Sequence, residues 1–278
     1  MNRILIILTL IVTGLALIYY GNNAIEVTEY EMINEKWPED LNGYRIVHLS
    51  DLQSKLYGRG QKPLLDKVES LKPDLIVFTG DLIDRRHYAK EPALQLMNGC
   101  NKIAPTAFVT GNHEIWHGSS ENLKAELEDI GVLVLDNKTV TITNKNASFR
   151  LSGLADRANF MSQYDYKTFT KSLSKTIKNE SPDAYSILLS HRPEQMPLYG
   201  DAGFDLVFSG HSHGGQFQLP IIGGVFAPNQ GLLPEYDGGL FSKYSTTMAV
   251  SRGLGNSIMP IRFFNQPEIP VIVMFNSN

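Results

Sequence analysis

The hydrophobic pattern changes character near residue 25. Ile4–Tyr20 reads ILIILTLIVTGLALIYY, and the 22 positions from Ile4 to Ile25 carry no charge. A helix of that length spans about 33 Å, close to the hydrocarbon thickness of a bilayer. Arg3 and the terminal amine precede it, while Glu26, Glu29, Glu31 and Glu35 follow before the first lysine, Lys36. Positive charge stays on the cytoplasmic side, so the chain is expected to run N-in and C-out, with Tyr19 and Tyr20 at the far interface. A buried core helix at an extreme terminus with no polar face is a poor fit. A cleaved signal peptide is the competing reading, with cleavage after Ala24, but Asn22 stands where a small residue is wanted. We read residues 1–25 as an uncleaved anchor, with the signal peptide as the alternative.

Residues 26–42 are polar, acidic and hold Pro38, which predicts a linker leading into an entering strand. From residue 43 to 278 no composition break appears, so this stretch reads as one domain. Short, nearly all-apolar runs at Tyr44–Leu49, Asp74–Phe78, Thr106–Val109, Ser186–Leu189 and Asp205–Phe208 predict strands covered on both faces. Amphipathic stretches at Gln61–Leu71, Glu91–Lys102, Ser120–Ile130 and Lys167–Lys178 predict helices, the third stopped by Gly131. Thr139–Ile142, Phe149–Leu154, Thr246–Val250 and Val271–Phe275 predict further strands with fewer helices between them. A βα-rich half joined to a β-rich half implies an α/β fold of two stacked mixed sheets flanked by helices.

Composition narrows the function. Hydrophobic residues make up 42% of 278, enough for a sizeable core. Twenty-five basic against 29 acidic residues give a net charge of −4, no electrostatic footprint for nucleic acid. That leaves room only for a nuclease with a local basic groove. Cys100 stands alone, so neither an intrachain disulfide nor a Cys-rich zinc site can form. No repeat period and no oligomerisation signal is visible.

Five segments place Asp, Asn or His at the carboxyl end of an apolar run: HLSDLQ (Asp51, Gln53), FTGDLID (Asp81), VTGNHE (Asn112, His113), LLSHRP (His191) and FSGHSHGG (His211, His213). Ligands of open α/β sheets bind beyond the carboxyl ends of strands, so all five are expected on one rim. Gly80, Gly111 and Gly210 precede the polar residue in three of them and allow a sharp turn or close backbone approach. Each piece alone has a bland explanation: Gly-Asp is a common turn, and a lone histidine is commonly a core residue. Together they use four of the seven histidines at equivalent positions, which turns do not explain. Asp, Asn and His without Cys describe a site for hard or borderline divalent metals, and seven candidate ligands exceed what one ion needs. A shared Asp would hold two ions at the spacing that suits in-line displacement at phosphorus.

The constellation resembles the calcineurin-like metallophosphoesterase superfamily, with the pattern D-x-H, G-D-x-x-D, G-N-H-E/D, a lone H and G-H-x-H. GDLID, GNHE, LSHRPE and GHSHGGQ match in order, from about Tyr44 to Phe275. GHSHGGQFQLP, SRGLG at Ser251–Gly255 and PIRFFNQPEI resemble a bacterial membrane-associated phosphodiesterase branch. The resemblance implies a four-layer α/β/β/α sandwich. It further implies that Asp51 and His213 bind one metal, that Asp81 bridges, and that Asn112, His191 and His211 bind the second. His113 would contact the phosphate and protonate the leaving oxygen, and a hydroxide held between two divalent metals would attack phosphorus. Mn stands first among the metals, ahead of Zn, Fe or Mg. The family's D-x-H appears here as Asp51-Leu52-Gln53, which replaces an imidazole with a neutral amide at the first metal. Oxygen for nitrogen shifts preference toward Mn and Mg.

Arg192 and Arg252 lie in or near these loops, either to hold a phosphate oxygen or as plain surface arginines. The expected activity is hydrolysis of a phosphate ester, a diester first, by a single-pass membrane protein with its domain outside the cytoplasm. Lipid-linked or cell-wall phosphodiesters are the expected substrates. The competing class is a binding module of the same fold with catalysis lost, supported by Gln53 alone.

Overall fold

The computed structural model describes residues 2–160, 162–180, 183–256 and 259–277. Helix α1 (Asn2–Asn23) comes first. Strands β1 (Glu26–Ile33), β2 (Tyr44–Leu49), β3 (Leu75–Thr79), β4 (Thr106–Val109) and β5 (Leu133–Val134) follow, with α2 (Lys62–Ser70), α3 (Lys90–Ile103), α4 (Asn112–His117) and α5 (Ser120–Asp129) among them. The second half holds β6 (Lys138–Asn144), β7 (Ala147–Gly153), α6 (Gln163–Glu180), β8 (Ser186–Leu189), α7 (Met196–Ala202) and β9 (Leu206–Ser209). Four two-residue strands make two small hairpins, β10–β11 (Gln218–Leu219, Gly223–Gly224) and β12–β13 (Phe226–Ala227, Gly231–Leu232). The chain closes with β14 (Gly239–Lys243), β15 (Thr246–Val250) and β16 (Glu268–Phe275).

Two six-stranded mixed sheets result, in the orders β1-β16-β2-β3-β4-β5 and β14-β15-β9-β8-β7-β6. Strand alternation explains why the runs are apolar throughout. Leu75 and Val77 of β3 face the space between the sheets, packed with Phe149, Leu151, Ile187 and Phe208. Their neighbours Ile76 and Phe78 point the other way, onto Leu64 and Val68 of α2, Leu96 and Met97 of α3, and Leu123 and Leu127 of α5. On the far side, Leu188, Val207 and Met248 are covered by Tyr166 of α6 and Met196 and Tyr199 of α7. The architecture is the four-layer α/β/β/α sandwich expected.

The linker expectation for residues 26–42 is corrected. Glu26–Ile33 is an edge strand, parallel to β16 in unbroken register from Glu26↔Glu268 to Ile33↔Phe275. Its inward positions Tyr30 and Met32 pack on the core, while Glu29 and Glu31 face solvent. Glutamates on the open face keep an edge strand from pairing further, and they hid the strand from a reading by composition. Trp37, within the same segment, is fully buried against Tyr44, Phe149 and Tyr185. Residues 26–42 therefore belong to the packed domain. Trp37→Ala should cost about 3–5 kcal/mol of stability, measured as the shift in a urea denaturation midpoint; a loss under 1 kcal/mol would remove Trp37 from the core.

Candidate metal centre

Strands β2, β3 and β4 are parallel in one sheet and β8 and β9 are parallel in the other. Their carboxyl ends meet across the sandwich. The Asp51 peptide N–H donates to Gly80 O at 3.0 Å, Gly210 N–H to His191 O at 3.1 Å, and His211 N–H to Asp51 Oδ2 at 3.0 Å. The turns are tight: Asp51, Gln53, Asp81, His211 and His213 all have left-handed φ, from 48° to 67°. Non-glycine residues hold that conformation only where the surroundings over-determine it, and such strain gathers at functional sites. A Cβ on Gly111 would stand 2.3 Å from Asp81 Oδ1, which explains the glycine before Asn112.

Two clusters form, Asp51–Asp81–His213 and Asp81–His191–His211, each with ligand atoms within 4.8 Å of one another and every residue buried. Asp81 belongs to both. Its Oδ1 accepts the His113 peptide N–H at 2.8 Å, and its Oδ2 accepts the Gln53 amide at 2.9 Å and lies 3.4 Å from His191 Nε2. Asn112 opens α4 between Gly111 and His113. Asp51 Oδ1, Gln53 Oε1, Asn112 Oδ1 and His213 Nδ1 are buried without a hydrogen-bond partner. A buried polar atom left unpaired costs about 1–3 kcal/mol. Four such atoms beside two Asp–His clusters make a donor set that fits two divalent cations.

Neighbouring groups fix the imidazoles. His191 Nδ1 donates to Thr79 O at 2.7 Å and turns Nε2 inward. His211 Nε2 donates to Asn229 Oδ1 at 2.9 Å and turns Nδ1 inward. Asn229 Oδ1 also accepts Arg192 Nη1 at 2.8 Å, so two donors settle which end of the amide faces them. His113 Nδ1 accepts the Arg85 peptide N–H at 3.1 Å, which leaves its Nε2 carrying the proton, 3.9 Å from Asp81 Oδ2.

The electrostatics divide the carboxylates. Burial pushes Asp51 up to about 6, and the nearby Asp81 adds to that push against the pull of His191. Burial opposes ionisation of Asp81 too, yet the attraction and hydrogen bond of His191, with a smaller pull from His113, hold it well below the carboxylate range. Burial lowers His113 below an ordinary histidine against the pull of Asp81 and Asp84. Burial lowers His211 to about 3, helped by His191, so it stays a neutral donor.

Two expectations about arginine are corrected. Arg192 is buried and bidentate on Asp156, at 2.7 and 3.0 Å, while Arg252 pairs with Glu268 and Glu26. Neither is a surface residue free to hold phosphate. Sequence reasoning missed Glu114, Asn229 and Arg85. Glu114 accepts the peptide N–H groups of Gly111, Asp81 and Ile83 at 2.7, 3.0 and 3.1 Å, which ties the two loops together. It stands in the GNHE block, where that block's pattern marked it. Arg85 is exposed and lies 4.5 Å over the Trp116 ring beside His113. Asn229 comes from a hairpin with no motif.

With this geometry in place, comparison with known proteins gives a consistent answer. The calcineurin-like phosphoesterase family model matches residues 44–215, more than half of the chain. The chain belongs to that family and is a metallophosphoesterase, a hydrolase of phosphate ester bonds. It is 31% identical over 269 residues to the uncharacterised metallophosphoesterase YkuE of Bacillus subtilis, across 94% of this chain and 89% of the relative. It is 29% identical to the UDP-2,3-diacylglucosamine pyrophosphatase LpxG of Chlamydia muridarum, across 90% of this chain and 89% of the relative. A Bos taurus transmembrane protein with a metallophosphoesterase domain is 30% identical across 89% of this chain, which spans 56% of that longer protein. Among solved structures, a dimetal phosphatase from Danio rerio shares the fold, with a TM-score of 0.51 at 14% identity over 77% of this chain and 88% of that chain.

Asp81→Asn should reduce bound metal at both positions, since it removes one ligand from each cluster. Elemental analysis of the purified protein checks this, and two retained equivalents would refute the shared role. Asn229→Ala should weaken metal binding about 10–100-fold through the loss of His211 alignment.

Proposed function

We propose that this protein is a membrane-anchored, dimetal phosphodiesterase with Mn as its preferred ion and its domain outside the cytoplasm. The observation that carries the reading is Asp81, common to two buried Asp–His clusters, with His113 beside it. Two divalent cations, when bound, supply a nucleophilic hydroxide near neutral pH and neutralise phosphoryl charge. Asp51, Asp81, His213 and Gln53 would hold the first, and Asp81, Asn112, His191 and His211 the second. His113 presents Nε2–H toward the same space and would protonate the leaving oxygen. An incoming phosphate adds its negative charge to the pull of Asp81 and Asp84, which favours the imidazolium needed for that transfer. Exposed Arg85, on its Trp116 platform, would contact a phosphate oxygen in the place vacated by Arg192 and Arg252.

At Gln53 the amide nitrogen bonds Asp81 Oδ2 and leaves Oε1 free. That arrangement supports a ligand role through oxygen. A first ion held by three oxygens and one imidazole favours Mn or Mg over Zn and Fe.

Helix α1 is long and apolar enough to cross a bilayer, over Arg3–Asn23. Asn22 favours an uncleaved anchor over a signal peptide: its Nδ2 donates to Pro260 O at 2.9 Å and its Oδ1 accepts the Arg262 peptide N–H at 2.8 Å. Cleavage after Ala24 would discard both bonds. Lipid-linked or cell-wall phosphodiesters are the substrates that this placement favours.

Hydrolysis of bis(4-nitrophenyl) phosphate should rise on adding Mn, and His113→Ala should lower it about 10²–10⁴-fold. Gln53→His should reduce the dependence on added Mn. No turnover with Mn, Zn, Fe or Mg would instead favour a binding module of the same fold. For topology, protease added to intact spheroplasts should digest the domain; full protection would reverse the assigned side.

A further inference from the structure

The described surface carries an apolar patch that the metal centre does not use. Ile221, Phe226, Leu232 and Leu233 on the two small hairpins are exposed, as are Phe263 and Phe264 on the loop before β16. The two loops adjoin, since the Gln218 peptide N–H donates to Phe263 O at 3.0 Å. Both loops are also wired to candidate ligands. Asn229, at the turn of the β12–β13 hairpin, bonds His211, while Asn265 Nδ2 donates to His213 O at 2.7 Å. The patch therefore lies at the rim of the metal centre.

The same patch is continuous with α1. Asn22 is bonded to Pro260 and Arg262, and the Lys55 ammonium donates to Asn22 O. A Cβ on Gly21 would stand 2.7 Å from Arg262 O, so helix and loop are in backbone contact. Arg262 is itself buried, with Nη2 bonded to the carbonyls of Arg252 at 2.9 Å and Gly253 at 3.2 Å. The helix end is thus bolted to the domain. Between them runs an open apolar groove of about 500 Å³, lined by Gly14, Leu17 and Ile18 of α1 and by Ile261, Phe263 and Phe264. From Gly14 to Gly21 a helix rises about 10 Å, so the groove runs about that far along α1 from the end that meets the domain.

Soluble proteins rarely expose contiguous large apolar side chains, and such patches mark contact surfaces. Here the neighbouring surface is that of a helix apolar enough to cross a membrane. We infer that the hairpin tips and the 259–264 loop seat in the leaflet on the domain's side, and that the groove against α1 takes an acyl chain of a phosphoester lipid, which presents its phosphate to the metal centre. This deepens the phosphoesterase reading and rests on it for the reacting group. A chain held in the groove keeps the lipid partly in the bilayer, so the phosphate reaches the rim without extraction of the whole molecule into water.

The test uses the full chain in vesicles of phosphatidylcholine and phosphatidylglycerol. Cys100 is buried, with its thiol pushed up to about 12 by burial, so an introduced cysteine can be labelled selectively. A fluorophore at Leu233→Cys or Phe264→Cys should be quenched by doxyl-labelled lipid and protected from aqueous iodide, whereas one at exposed Tyr164→Cys on α6 should behave in the opposite way. Iodide quenching at 233 and 264 would overturn the docking. So would protection from both quenchers accompanied by crosslinks between copies, which would assign the patch to a second copy of the chain. For the groove, diacylglyceryl 4-nitrophenyl phosphate in the bilayer is compared with methyl 4-nitrophenyl phosphate in solution, both with Mn. Gly14→Leu, which fills open space, and Leu233→Ser/Phe264→Ser should each lower turnover of the lipid ester roughly tenfold and leave the methyl ester unchanged. Equal turnover of the lipid ester by variants and unaltered chain, or equal loss on both esters, would overturn the acyl-chain site. If the unaltered chain hydrolyses neither ester while the quenching pattern holds, the phosphoesterase reading fails and the docking stands.

Discussion

The rest of the structure depends on keeping Asp81 ionised inside the protein. A buried carboxylate pays several kcal/mol in lost hydration unless it is compensated. Here the compensation comes from everywhere at once: the His113 peptide N–H, the Gln53 amide, and imidazoles from both sheets. The neighbour that yields is Glu114, pushed up to about 8 by burial and by Asp81 itself. Glu114 still accepts the Asp81 and Gly111 peptide N–H groups, and so locks the turn that aims the Asp81 carboxylate. Neither sheet alone could build this arrangement, because His191 and His211 arrive from the sheet that does not contain Asp81.

That demand explains the backbone. Five site residues hold left-handed φ, and the loops carrying them pass so closely that Gly111 has no room for a side chain. Strained turns of this kind persist only on a rigid base. Two buried sheets with helices on their outer faces provide that base, and the apolar runs that looked featureless are the reason it is rigid.

A second set of polar bonds joins the rim to α1. Arg262 and Asn265 run from the helix end to His213 through backbone carbonyls, with no flexible linker between. β1 continues directly from the helix and pairs along its whole length with β16. The helix end is therefore joined to the domain by hydrogen bonds next to the loop that reaches the candidate ligand His213.

Several features were legible in the residue pattern because they are local. Short, mostly apolar runs at Tyr44–Leu49 and Thr106–Val109, bounded by turn residues, fit strands buried on both faces, and most of α1 falls within the uncharged run from Ile4 onward. The five polar segments at strand ends marked one rim, because alternating strands and helices force parallel carboxyl ends together. Other features were decided only by packing. β1 looks like a linker because the charge on its open face masks an alternation that matters only once β16 is beside it. Arg192 sits in a motif loop, but its partner Asp156 comes from 36 residues earlier and consumes it. Asn229 sits in a hairpin without a motif, yet it orients His211. The metal-binding residue types of the candidate site could be read at the strand ends, and the structure brings them into two buried clusters. Which side chains serve it and which are spent on holding it together depends on contacts between distant segments, and a linear pattern carries no record of those.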